Sequence, residues 1–182
     1  PEVDPHVLGH AVDPDGAALE RARDTYGMSV KRGSLTQDAL EQRMTLISGV
    51  TDYADLSDVD VVVEAVFEDM GVKQKVFEAL DANCKPGAIL ASNTSSLDLN
   101  AIAQFTKRPQ DVVGLHFFSP ANVMKLIEIV RSRKSKKEVI ATCMAIARRL
   151  GKIGVLVRNG GGFVGNRMFF HYERECQHMA QE

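Results

Sequence analysis

Cysteine is scarce: Cys84, Cys143 and Cys176 lie far apart in 182 residues, and no C-x-x-C occurs. This excludes a disulfide framework or a paired-thiol motif and points to buried, inert thiols in a reducing compartment. An excess of one charge is also missing. Lys and Arg number 22 against 24 Asp and Glu, a net charge of -2, so no global field draws the chain to nucleic acid or an anionic membrane. No apolar run approaches the roughly 18 residues of a membrane helix, and no charged-then-apolar leader opens the sequence. There is no G-K-[ST] of a P-loop, no internal repeat and no low-complexity tract. What is present is ordinary: 45% hydrophobic and 25% charged residues, the composition of a globular protein. The length suits one domain, or one and a part. The ends do not look like domain ends, since Pro1 opens an irregular stretch and Glu182 falls inside a helical pattern.

Short apolar runs alternate with amphipathic segments, the pattern of an α/β fold with a mostly parallel sheet. A strand is expected over His6–Val12. A helix follows with Ala18, Leu19, Ala22 and Tyr26 on one face and Gly27 as its stop, and a second spans Thr36–Ile47. Val59–Val66 reads as a strand buried on both faces because of its three consecutive valines. Asp69 caps the next helix, which Pro86-Gly87 breaks. Strands are expected at Ala88–Ser92, Val112–Phe118, Lys125–Val130 and Ile153–Val157, with a short helix at Leu97–Phe105. Ser135 and Glu138 form a capping box for a helix that ends at Gly151. A last helix starts after the glycines at 160–162. Methionines such as Met44 and Met168 read as core filler.

Open parallel sheets bind ligands at the carboxyl ends of their strands. There the sequence places Asp13, then Glu64 and Glu68, then Asn93-Thr94-Ser95-Ser96, then His116. These groups can hold ribose hydroxyls, a substrate oxygen and a proton. An acid in the place of Asp13 accepts from a ribose 2′-OH and repels a 2′-phosphate, which favours NAD; it could equally cap the next helix. A strand histidine such as His116 is often a satisfied core group. Glu128 shifts that balance, because it is the one carboxylate in LIEIV and a buried carboxylate needs a partner. Bonded to one imidazole nitrogen, it would fix the tautomer and leave the other as a base.

Gly160–Gly165 satisfies G-x-G-x-x-G, but no second strand with an acid follows, so it reads as a turn into a helix rather than a phosphate loop. His171, Glu175 and His178 share a helical face, as a polar stripe or, less simply, zinc ligands; the polar stripe is preferred and no metal is expected. Arg131–Lys137 reads as a solvated basic loop, with a dock for coenzyme A phosphates as its sharper alternative.

The stretches VDVVVEAVFED (59–69), ILASNTSSL (89–97), GLHFFSPANVMKLIEIV (114–130) and GFVGNR (162–167) resemble the 3-hydroxyacyl-CoA dehydrogenase family. The likeness is to the dehydrogenase part of multifunctional β-oxidation enzymes of bacterial and peroxisomal type. It implies an oxidoreductase of fatty-acid metabolism that oxidises (S)-3-hydroxyacyl-CoA to 3-oxoacyl-CoA with NAD. His116 would be the general base, Glu128 its orienting partner, Ser95 a donor to the substrate oxygen, and Asn166 a substrate holder. Asp13 would bind the adenosine ribose, with Glu68, Lys73 and Asn93 along the cofactor.

The family pattern puts a first strand and a glycine-rich loop ahead of Asp13 and a helical domain after Asn166. The expectation is therefore a Rossmann-like NAD-binding portion over 1–160 lacking that first strand and loop, with 161–182 starting an all-α dimerisation and substrate domain. Weak NADH binding by these 182 residues alone follows from the same reading. The resemblance further implies an acyl-CoA substrate, a homodimer or a place in a multifunctional enzyme, and a cytoplasmic (bacterial) or peroxisomal or mitochondrial (eukaryotic) setting. The alternatives are a non-catalytic nucleotide or acyl-CoA module and another Rossmann hydroxy-acid dehydrogenase.

Overall fold

A computed structural model of the chain describes residues 9–13 and 16–181. They fall into two units, divided between Asp58 and Val59. In the first, β1 (Gly9–Val12) pairs in parallel with β2 (Ile47–Val50). Parallel neighbours need a crossover, which α1 (Ala17–Lys31) and α2 (Gln37–Met44) supply. The expected first strand agrees with β1 from Gly9 on; His6–Leu8 lie outside the described residues. Two expectations are corrected here. Helix α1 does not stop at Gly27 but continues to Lys31, where Gly33 takes the left-handed conformation at φ 70° and its N–H donates to Val30 O (2.9 Å). A mid-helix glycine costs only about 1 kcal/mol, which the surrounding turns absorb. Ile47 is not the end of α2 but the start of β2, because Gly9 N–H donates to Leu46 O and draws the chain into pairing with β1.

The second unit is built on a five-stranded sheet in the order β3 (Val61–Glu64), β4 (Ile89–Ser92), β5 (Val112–Phe117), β6 (Leu126–Arg131), β7 (Ile153–Arg158). Strands β3, β4 and β5 run parallel, connected by α3 (Met70–Asn83) and α4 (Leu99–Gln104). Strand β6 runs antiparallel to β5, and β7 returns parallel to β6 through α5 (Lys137–Arg149). One sheet face packs Ile89, Ala91, Val113, Leu115, Ile127 and Ile129 against Val139, Cys143 and Ala147 of α5. Helix α6 (Gly165–Met179) follows, with Phe169, Phe170 and Tyr172 exposed.

Asp69 caps α3 as expected, accepting from Val72 N–H at 2.9 Å. Three other expectations fail. Val63 is 45% exposed, because β3 is the end strand of its sheet rather than a strand covered on both sides. Met168 is 69% exposed on α6 and fills no core. The capping box does not form: α5 starts after Lys136 with no side-chain cap, and the Ser135 hydroxyl instead donates to Val112 O.

Two of the thiols are buried as expected, and Cys176 on α6 is only half-buried. Burial pushes the Cys84 thiol up and lifts Cys143 to about 11. Since the thiolate is the reactive form, iodoacetamide at pH 8 is expected to label Cys176 alone in the folded protein, with Cys84 and Cys143 labelled only after denaturation. Mass spectrometry of the alkylated peptides checks this; equal labelling of Cys143 would contradict the packing of α5.

Candidate active site

Because β3, β4 and β5 are parallel, their carboxyl ends bring Glu64, the Asn93–Ser96 loop and His116 to one edge of the sheet. Strand β6 adds the piece that makes chemistry possible. Running antiparallel to β5, it sets Glu128 directly across from His116 in the ladder, where facing side chains share one side of the sheet. Glu128 Oε2 lies 2.7 Å from His116 Nδ1, and both side chains are buried. A carboxylate only accepts, so Nδ1 carries the hydrogen and Nε2 presents a lone pair. Among the described residues no hydrogen bond engages Nε2. The ring is wedged between Phe118 and Phe163, with centroids at 4.5 and 5.6 Å.

The second oxygen of Glu128 is engaged as well. Val164 N–H and Gly165 N–H, at the start of α6, donate to Oε1 at 3.0 and 2.9 Å. The glycine-rich segment before α6 is thus a turn into a helix, with Gly162 and Phe163 both at positive φ, and its leading amides face a carboxylate.

The Asn93–Ser96 loop is organised by Glu68. The carboxylate accepts from the Thr94 hydroxyl (2.6 Å), Ser95 N–H (2.7 Å), the Ser95 hydroxyl (3.2 Å) and Ser96 N–H (3.2 Å). Burial by itself would raise the Glu68 carboxyl; the Thr94 and Ser95 hydrogen bonds and the Lys73 charge outweigh it and leave the carboxyl below its ordinary value. Asn93 turns inward, its side-chain oxygen accepting from Phe117 N–H at 2.9 Å, and so ties the end of β4 to the end of β5. Asn166, on the first turn of α6, reaches the Ser95 carbonyl at 3.5 Å.

Lys73, expected along a bound cofactor, lies beneath the rim. It is 1% exposed, and its ammonium lies at 2.8 and 3.0 Å from the two Glu64 oxygens and 3.5 Å from Glu68. Glu64 also accepts from the Ser92 hydroxyl (2.7 Å) and Val66 N–H (2.7 Å). Lys73 therefore acts by holding two carboxylates beneath the rim. The sequence places Glu64 among the polar groups at the strand ends without pairing it to Lys73. The signal was available: a lone acid closing an apolar strand needs a buried partner, the same logic that singled out Glu128.

In its own unit, Asp13 ends β1 and accepts from Ala18 N–H (2.9 Å) and Leu19 N–H (3.0 Å) of α1. The capping alternative is realised. It leaves a carboxylate fixed at a strand's carboxyl end, the kind of group that receives a ribose hydroxyl.

Over residues 7–160 the sequence matches the family described as 3-hydroxyacyl-CoA dehydrogenase, NAD binding domain. The chain belongs to that family. It is 46% identical over 176 residues to the peroxisomal bifunctional enzyme of Danio rerio, covering 94% of this chain and 24% of that protein. To the fatty acid oxidation complex subunit alpha of Vibrio vulnificus it is 41% identical over 170 residues, covering 92% of this chain and 24% of that one. The crystal structure of M. tuberculosis FadB2 superposes with a TM-score of 0.88 at 34% identity, over 96% of this chain and 63% of that chain. The chain thus spans about a quarter of the length of the curated relatives it matches. The nucleotide of the 3-hydroxyacyl-CoA dehydrogenase family is NAD, and the mostly parallel, helix-flanked architecture is the Rossmann-like fold expected from sequence. Within this family member, the amides of Val164 and Gly165 and the rings of Phe118 and Phe163 were not legible as site groups.

Proposed function

We propose that the protein containing this chain oxidises (S)-3-hydroxyacyl-CoA to 3-oxoacyl-CoA with NAD, as a step of fatty-acid β-oxidation. The observation that carries this reading is the His116–Glu128 pair: a buried imidazole with its tautomer set by a carboxylate and its other nitrogen unengaged among the described residues. His116 Nε2 takes the proton of the 3-hydroxyl. Glu128 stabilises the imidazolium that results. The Ser95 hydroxyl, held by Glu68, orients the substrate oxygen, and Asn166 steadies the substrate from the α6 side.

NAD, when bound, supplies the acceptor for the hydride from C3. Asp13 would receive its adenosine ribose, and Glu68 and Asn93 would line its path, with Lys73 fixing Glu68 from beneath. We take 1–160 as the nucleotide-binding portion and 161–182 as the beginning of a helical substrate and dimerisation domain, a reading supported by the exposed aromatic residues of α6. The relatives' names support a multifunctional enzyme as the setting, in a peroxisome or a bacterium.

The test is NADH formation by the complete polypeptide. Turnover is expected with (S)-3-hydroxyacyl-CoA, and little or none with the (R) isomer or with free 3-hydroxy acids. Equal turnover of the free acids would move the assignment to a small-molecule hydroxy-acid dehydrogenase. No turnover of any of them, with nucleotide binding intact, would favour a binding module.

A further inference from the structure

The segment Gly160–Gly165 carries a dinucleotide fingerprint by pattern, yet its geometry serves another purpose. We propose that its last three residues, Phe163–Gly165, form a clamp on the His116–Glu128 pair, in which the N-terminus of α6 fixes Glu128 and Gly165 is the positioning residue that permits the approach. This rests on the reading of His116 as the base.

Three observations converge. First, α6 has no side-chain cap of its own at Val164. Helix N-termini leave unpartnered amides, which a carboxylate satisfies together with the helix dipole. Here that carboxylate is Glu128, which comes from another element and accepts from Val164 and Gly165 N–H. With Oε1 pinned by two amides, Oε2 can face only one way, toward His116 Nδ1. The helix therefore sets the rotation of the carboxylate and, through it, of the imidazole.

Second, the glycines differ in what they tolerate. A Cβ on Gly160 or Gly161 would meet nothing within 4 Å. A Cβ on Gly165 would lie 2.7 Å from Phe118 Cζ and 3.1 Å from Cε1. The absence of a side chain at 165 lets α6 close on the Phe118 ring, the same ring that packs on His116. A phosphate cradle would put the demand for glycine where the chain meets the ligand, starting at the first glycine. The clamp puts it at Gly162, where φ is 66° and a Cβ would lie 3.0 Å from Arg167 N, and at the last glycine, Gly165.

Third, Phe163 is buried with φ 49°, a left-handed conformation that costs a non-glycine residue energy and is kept only where the surroundings enforce it. Its ring stands against His116. Phe163 and Phe118 thus bracket the imidazole while α6 holds the carboxylate.

The experiment compares Gly160→Ala, Gly161→Ala, Gly165→Ala and Gly165→Ala/Phe118→Leu in the complete polypeptide, reading kcat, KM for NAD and the ring ¹⁵N resonances of His116. Gly160→Ala and Gly161→Ala are expected to keep kcat and KM for NAD within about twofold. Gly165→Ala is expected to lower kcat by about 10- to 100-fold with KM for NAD unchanged, the scale of a misplaced catalytic group, and to move the His116 ring resonances. Shortening Phe118 in the double variant removes the collision and returns the ring resonances toward wild type.

A tenfold rise in KM for NAD in Gly160→Ala would restore the phosphate reading and overturn the clamp. So would native kcat and native ring resonances in Gly165→Ala. Hydrogen exchange gives a check that needs no glycine variant to fold. The Val164 and Gly165 amides should be protected in the wild type and in Glu128→Gln, and exchange freely in Glu128→Ala; unchanged protection in Glu128→Ala would refute the clamp. The ring resonances and amide exchange do not depend on turnover, so loss of the base assignment and loss of the clamp give different results.

Discussion

Replacing His116 with Gln is expected to lower turnover of 3-hydroxyacyl-CoA by about 10²–10⁴-fold, the usual contribution of a positioned general base. In barrier height that is about 3–5 kcal/mol. The substitution removes the basic nitrogen while keeping a polar side chain between Phe118 and Phe163 that can still hydrogen-bond Glu128. Stability and KM for NAD should therefore change little, since the proposed nucleotide contacts lie at Asp13, Glu68 and Asn93. Steady-state kinetics on the complete polypeptide separate the outcomes. A fall in kcat alone assigns the proton transfer to His116. A kcat within tenfold of wild type removes it from that role, and a parallel loss of NAD affinity would show that the variant disturbed the fold instead.

Lys73→Met should produce the largest loss of stability. The ammonium is sealed under the rim between Glu64 and Glu68, and removing it leaves the Glu64 carboxylate buried with only Ser92 and the Val66 amide. Breaking one side of a buried pair costs about 3–5 kcal/mol, far more than the pair itself is worth, because the surviving charge is uncompensated. For a chain of this size, this is a fall in Tm of about 6–20 °C. Glu64→Gln/Lys73→Met removes both charges and should recover part of the loss. Thermal unfolding of the two variants tests the argument. A double variant no more stable than the single would place the cost in the Ser92 and Val66 contacts, not in the charge.

The sequence revealed the α/β class, most strands, the Asp69 cap and the residues that meet at the rim. Glu128 could be paired with His116 because each was anomalous in its surroundings, one acid in an apolar strand and one imidazole in another. What escaped was mostly tertiary. Ser135-x-x-Glu138 has the letters of a capping box, but a nearby carbonyl competes for the hydroxyl and wins. Gly27 looked like a stop because local propensity says nothing of the turns beyond it. The Lys73–Glu64 pair escaped because a one-dimensional pattern could not show that the lysine side chain folds back onto the end of the preceding strand. The role of Gly165 was hidden for a sharper reason: one spacing of glycines serves two purposes, and only the position of Glu128 tells them apart. The reversal of β6 was legible in principle, since the connection 118–125 is shorter than the dozen or so residues a parallel crossover needs.

That reversal has a consequence for how this site tolerates change. Because His116 and Glu128 face each other across an antiparallel ladder, their alignment depends on strand register and not on the length of the loop between them. Insertions or deletions within 119–125 that preserve the ladder leave the pair facing and Phe118 in place. A single residue added inside β5 or β6 turns one partner to the opposite face of the sheet. Changes of length are therefore expected to be tolerated in the turn, while the two strands must keep step.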